Sequence, residues 1–346
     1  MKKYLAIFMA AMLLAGCLSA CGSTHTVEAA DTKPLQIVTT IFPEYDWVMN
    51  ILGENPGKAQ VTMLLDEGVD LHSYQPTADD IMKVATCDLF VYVGGESDGW
   101  VEDALQEAVN KDMVVINLLE TLGDSVKEEE MVEGMQEEAH DHDHGHEEEH
   151  EHEEDEAHED GHKHEEETEY DEHVWLSLRN ASALVESISE ALIRLDGAHK
   201  ELYQSNAESY VGRLKALDEK YSAAVAAGNR RTLLFGDRFP FRYLVDDYGL
   251  EYYAAFVGCS AETEASFETI SFLAGKVDEL KLPAVMTIEG NDHRIAETII
   301  ENTKTKDQQI LTMDSMQSVT AKDVQSGTTY LSVMEQDLEA LKAALQ

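Results

Sequence analysis

Eight short apolar runs, most of them followed by a helical pattern, constrain this chain more than any other feature. "LQIVTTI", "KAQVTMLL", "DLFVYVG" and "DMVVINLL" form a first series, and "RTLLFG", "LEYYAAFVG", "PAVMTIEG" and "QQILTMD" a second. Runs of this length, rich in branched and aromatic residues and bounded by Gly, Pro or Asp, read as buried strands. Between them lie helical patterns such as "TADDIMKVATC", which Thr77 can cap and whose first turn carries two aspartates. "GWVEDALQEAV", "FPFRYLVDDYG", "FETISFLAGKVDELK", "RIAETIIENTKT" and the terminal "SVMEQDLEALKAALQ" behave likewise. Such alternation predicts mainly parallel sheets covered by helices on both faces. The expected fold class is α/β, in two βα lobes of matched build.

Between the two series the alternation breaks twice. Residues 138–167, "EAHDHDHGHEEEHEHEEDEAHEDGHKHEEE", hold nine of the fourteen histidines and almost nothing to bury. A segment of that composition cannot offset its ordering entropy by apolar burial, and we expect a disordered loop over 127–170. Order resumes at "DEHVWLSLRNA". Tyr203, Ala207, Tyr210, Leu214, Leu217, Tyr221 and Ala224 then recur at alternating spacings of four and three, the mark of a long helix with one apolar seam. Gly228-Asn229 supplies its stop. About thirty residues at ~1.5 Å each make a rod of roughly 45 Å, a rigid backbone helix between the lobes; a coiled-coil dimer is the other use of such a seam. The organisation expected is an N-terminal lobe over 34–126, the loop over 127–170, a segment and helix over 171–198, the linking helix over 199–229 and a C-terminal lobe over 230–346.

The N-terminus, "MKKYLAIFMAAMLLAGCLSACGS", has two lysines and then an apolar run too short to stay as a permanent span. It reads as a secretory signal over residues 1–20, followed by a tether over 21–33. "LSAC" and "LAGC" both resemble the bacterial lipobox, which makes Cys21 the expected lipidated residue and Cys17 the alternative. Acylation of that kind anchors a protein to a membrane face. Cys87 and Cys259 stand far apart without CxxC spacing and read as buried small hydrophobes. The formal charge of −44 excludes nucleic acid as a partner and favours cations.

In open parallel sheets, binding groups gather in loops at the carboxyl ends of strands. His72 follows "VTMLL", Asp237 follows "RTLLF", and Asp314 follows "QQILTM", while His173 stands where order resumes beside Trp175. Two imidazoles and two carboxylates, two from each half, could enclose one ion between the lobes. Taken singly, each has a plainer use: His72 as a loop hydrogen-bonder, Asp237 and Asp314 as helix caps.

"LLDEGVDLHSYQPTADD", "YVGGESDGWVEDAL", "DEHVWLSLRNA" and "TIEGNDHRIAETI…ILTMDSM" resemble, in the same order, the zinc/manganese solute-binding lipoproteins of bacterial ABC transporters, the TroA-like family with a periplasmic-binding-protein-like fold. The resemblance covers nearly all of the chain beyond the leader, including the acidic His-rich insert. It implies that His72 and His173 are the first two metal ligands and Asp314 the fourth. The third position departs from the pattern, which places His or Glu five residues before the Tyr of an "F-x-Y" segment. Counting back from Tyr243 reaches Arg238, which cannot bind a cation. Counting forward from the strand reaches Asp237, and a small insertion at "RFP" reconciles the two. Asp237 is therefore the nominee, with Glu262, Glu264 or a water as alternatives.

Imidazole favours Zn2+ and its neighbours, carboxylates also admit Mn2+, and an imidazole-rich tract argues for zinc. The loop histidines His140, His142, His144, His146, His150, His152, His158, His162 and His164 form an expected weaker store that raises the local zinc concentration. The function implied is an extracytoplasmic, lipid-anchored, monomeric protein that captures Zn2+ and passes it to an ABC permease. A manganese-specific relative, a surface metal buffer or adhesin, and a metallohydrolase are the competing classes. For the last, no HExxH, nucleophile elbow or Ser/His/Asp order is found.

Overall fold

The computed structural model describes residues 33–53, 59–136, 169–260, 263–290 and 292–346. The leader with Cys17 and Cys21, the nine loop histidines and Glu262 lie outside the described residues. Strands β1 (Leu35–Thr39), β2 (Ala59–Met63), β3 (Leu89–Tyr92) and β4 (Val114–Asn117) form one sheet in the order β2-β1-β3-β4. Strands β5 (Thr232–Phe239), β6 (Glu251–Val257), β7 (Ala284–Thr287) and β8 (Gln309–Thr312) form another in the order β6-β5-β7-β8. Every pairing is parallel. The two orders are the same when each lobe is counted from its first strand, so equivalent loops of the two lobes can be compared.

In the first lobe, helices α1 (Phe42–Leu52), α2 (Ala78–Thr86), α3 (Trp100–Gln106) and α4 (Leu118–Leu122) connect or follow the strands. Thr77 caps α2 through its hydroxyl, which accepts from Asp80 N–H, while the Asp80 carboxylate accepts in return from Thr77 N–H. α5 (Leu178–Leu195) and α6 (Lys200–Ala227) pack side by side. The buried seam of α6 runs through Tyr203, Ala207, Tyr210, Leu214, Leu217 and Tyr221, then shifts to Val225 while Ala224 stays half-exposed. A straight helix at 3.6 residues per turn drifts off a 3.5-residue seam in this way. Within this chain the seam meets α1 and α11 (Tyr330–Ala344). The Tyr210 hydroxyl donates to Asp46 at 2.9 Å, and the Tyr221 hydroxyl to the Met334 carbonyl at 2.6 Å. Buried tyrosines thus keep their polar tips satisfied while filling the core.

The second lobe carries α7 (Arg242–Tyr248), α8 (Phe267–Leu280), α9 (Arg294–Asn302) and α10 (Ala321–Gln325). One apolar cluster runs from Ile37 in β1 through Leu214 in α6 to Met334 in α11, and a smaller one fills the space between the second sheet, α8 and α9. Two local readings change. β5 stays extended through Phe239, where "FPFRYLVDDYG" reads as helical, because the residue before Pro240 is disfavoured in the helical region. Phe239 instead stacks on Tyr252 with ring centroids 3.8 Å apart. The flank 127–136, assigned by composition to the acidic loop, is held against the second lobe. Gln136 N–H donates to the Ala255 carbonyl, and Met135 is buried.

Candidate metal centre

His72 sits in the 3-10 turn Leu71–Ser73 beyond β2, where the Asp70 carboxylate accepts from His72 N–H and fixes the turn. Its Nδ1 lies 2.8 Å from Ser97 Oγ and 3.4 Å from Glu172 Oε2. The shorter contact is the hydrogen bond, and Glu172 supplies charge behind it. Ser97 N–H donates to Glu172 Oε1 at 2.9 Å. Burial works to raise the Glu172 carboxyl, but the nearby His72 imidazole and the hydrogen bond from Ser97 outweigh it and hold the group below the ordinary glutamate value. Gly95, at φ +83°, makes room for this carboxylate: a Cβ there would stand 2.3 Å from Glu172 Oε1.

His173 is fully buried at the start of the 3-10 turn Val174–Leu176. Asp171 Oδ1 lies 2.9 Å from His173 N and 3.0 Å from its Nδ1. Both imidazoles therefore turn Nδ1 toward an oxygen partner and point Nε2 into the same space, 3.1 Å apart. Partners on Nδ1 orient the ring and leave Nε2 as the donor atom, the usual arrangement behind a metal-ligating histidine. Two nitrogens on a tetrahedral zinc, each at ~2.0–2.1 Å, lie about 3.3 Å apart. The pair is spaced for one ion.

Among the described residues, one group of three or more metal-donor side chains draws together: His72, His173 and Cys259, whose donor atoms all lie within 4.8 Å of one another. The sequence reading treats Cys259 as a buried hydrophobe. It is instead half-buried in the turn just beyond β6, lining a cavity of about 260 Å³ with His72, Glu96, Ser97, Glu129 and Glu172. Glu129 accepts from its backbone N–H. Burial and the carboxylates of Glu129, Asp171 and Glu172 push its thiol up.

Asp237 and Asp314 do not join this group. β5 advances three residues, from Phe235 to Arg238, while β6 advances two, so one extra residue is accommodated at a bulge. Asp237 stands in it, accepting from the N–H groups of Arg238 and Ile288. Burial, partly offset by those donors, raises its pKa. Arg238 reaches across to the first lobe and pairs with Asp70. Burial acts to raise Asp70, yet the guanidinium prevails and lowers it. Asp314 accepts from Met316 N–H at 2.7 Å, and burial with the nearby Glu289 carboxylate raises it. Glu264, also an alternative, lies outside the group too.

Several buried carboxyls bear on stability. Burial lifts Asp46 to about 6, and burial together with Glu172 lifts Asp98 to about 7 against the pull of Gly94 N–H. A carboxyl raised on folding contributes stability fully present below its unfolded value and lost as pH rises through its folded value. The groups held low, Asp70 and Glu172, lose their contribution only as pH falls below the ordinary carboxylate range. The metal-free chain should therefore melt several degrees lower at about pH 8 than at about pH 5.5. Thermal unfolding in chelator across that range checks the sign.

Residues 37–344 match the family described as ZnuA, "Zinc-uptake complex component A periplasmic". The zinc-binding lipoprotein AdcA of Streptococcus pneumoniae serotype 4 is 31% identical over 313 residues, covering 90% of this chain and 56% of AdcA. The chain thus spans about half the length of the AdcA proteins it matches. The high-affinity zinc uptake system protein ZnuA of Bacillus subtilis is 27% identical over 349 residues, covering 99% of this chain and 98% of that protein. The Zn(II)-bound ZnuA-like domain of Streptococcus pneumoniae AdcA superposes with a TM-score of 0.65 at 26% identity, over 90% of this chain and 99% of that one. The periplasmic zinc binding protein TroA of Treponema pallidum shares the fold, with a TM-score of 0.67 at 23% identity over 91% and 99% of the two chains. With both lobes and the paired histidines inside the matched span, this chain belongs to the ZnuA family of zinc-uptake complex components.

Proposed function

We propose that this chain captures Zn2+ outside the cytoplasm, in the cleft between its lobes, and delivers it to the permease of an ABC importer. The observation that carries the reading is the convergence of His72 and His173 Nε2 at 3.1 Å, each ring backed through Nδ1. Asp314 is the fourth donor in this reading. The bond from Trp175 Nε1 to the Ser315 carbonyl, 2.8 Å, supports it by tying the turn after His173 to the loop that carries Asp314. Two imidazoles suit zinc better than manganese, which binds such donors more weakly. Cys21, following "LSA", is the proposed lipid anchor after removal of residues 1–20.

The His-rich loop acts in this proposal as a collector. Glu169 and Tyr170, which follow it, line the cavity that opens onto His72 and Cys259, beside Glu96 and Glu129. A cation held by the loop is thereby passed towards an acidic mouth. Deleting residues 138–167 should leave one tight zinc site with its affinity nearly unchanged and remove several weaker ones from a zinc titration. The weaker sites should disappear as pH falls through the histidine range, since protonated imidazole cannot bind metal. Loss of the tight site on deletion would put a loop histidine in the primary shell. Growth under zinc limitation tests delivery, and a lipid-modified Cys21 in the mature N-terminal peptide tests the anchor by mass spectrometry.

A further inference from the structure

We propose that the third zinc donor of this cleft is the thiolate of Cys259, making the core of the site His72–His173–Cys259. The inference rests on the zinc reading above and goes beyond the family pattern, which places His or Glu five residues before the Tyr of the "F-x-Y" segment.

Four observations converge on it. The first is proximity: the Cys259 sulfur and the two histidine donors lie within 4.8 Å of one another. Zn–N bonds of ~2.0–2.1 Å and a Zn–S bond of ~2.3 Å put a tetrahedral N···S edge at about 3.6 Å, so closure needs a shift of ~1 Å. The second is the occupation of the usual third position. Arg238 stands there and pairs with Asp70, the residue that fixes the His72 turn, so a cation holds the place and pins the two lobes together. The third is topology. Each lobe repeats the same strand order, and the loop beyond its second strand carries a donor: His72 beyond β2, Cys259 beyond β6. The fourth is the backbone approach. A Cβ on Gly258 would stand 2.9 Å from the Phe239 carbonyl oxygen and 3.1 Å from His173 Cε1. Only a residue without a side chain lets the end of β6 come this close to the histidine.

On coordination the sulfur lone pair forms the Zn–S bond and the thiol proton leaves to solvent. A thiolate makes the shell softer than His and carboxylate alone, which selects zinc against manganese and the hard cations.

Zinc-edge X-ray absorption on the full chain loaded with one equivalent of zinc tests the assignment. The loop has no cysteine, so a sulfur shell near ~2.3 Å separates core from loop. We expect that shell in the wild type and in a variant combining Cys17→Ser, Cys21→Ser and Cys87→Ser. Cys259→Ser should lose it and bind zinc at least tenfold more weakly, with Asp237→Ala weakening binding less than Cys259→Ser does. A wild-type spectrum without sulfur, a sulfur shell that survives Cys259→Ser, or the reverse ranking of the two variants overturns the proposal. In each of those outcomes the broader zinc reading stands as long as His72→Ala still abolishes tight binding. If His72→Ala binds as tightly as wild type, the zinc-cleft reading itself fails.

Discussion

Zinc should raise the melting temperature of the wild-type chain strongly and that of His72→Ala and His173→Ala only weakly. Binding to the folded state stabilises it by RT ln(1 + [L]/Kd), which is ~2.7 kcal/mol when free zinc is a hundred times Kd. A site weakened a hundredfold at the same free zinc yields only about 0.4 kcal/mol. The readout is the zinc-induced shift rather than the melting temperature itself, because His173 is fully buried and its truncation also costs packing. The His-rich loop does not confuse the measurement. Its histidines are neighbours in sequence, so zinc taken up by them would be held in the unfolded chain as well and would contribute little to the difference. Equal shifts in all three proteins would show that the two histidines are not the ligands.

Replacing Trp175 should have the largest effect on the fold itself. Its side chain is fully buried, its ring centroid lies 5.2 Å from that of His173, and its backbone carbonyl accepts from the Tyr330 hydroxyl at 2.6 Å. Trp175→Ala should cost ~3–5 kcal/mol through the cavity it leaves. Trp175→Phe keeps most of the volume but strands the Ser315 carbonyl, for ~1–3 kcal/mol. Both variants should also reduce the zinc-induced shift, because the bond to Ser315 ties the His173 turn to the neighbourhood of Asp314. Chemical denaturation with and without zinc measures the two effects separately. A Trp175→Phe protein as stable and as zinc-responsive as wild type would mean that this bond does not hold the lobes in register.

Much of the architecture was legible beforehand because it is encoded locally. A strand such as Leu35–Thr39 is announced by five residues, and the cap of α2 by Thr77 and Asp80, three positions apart. Helical and strand periodicities are set by neighbours within one or two turns, so they survive being read without a structure. His72 and His173 stood out as candidates for other reasons: His72 follows a strand, where a sheet of this kind gathers its binding groups, His173 stands where order resumes, and the family resemblance implies both as ligands.

What the sequence could not determine depends on contacts between residues far apart along the chain. Nothing around Cys259 marks it as a donor; its role arises because a glycine lets the end of β6 press against His173. Arg238 looked like a misfit at a ligand position, and only the approach of the two lobes turns it into the partner of Asp70. Asp237 faces its own backbone and that of Ile288 because one extra residue in β5 rotates the chain there, a change of direction that no count of spacings resolves. Periodicity belongs to a single element, whereas a coordination shell belongs to the packing of several, and donor positions must agree to a fraction of an ångström across that packing.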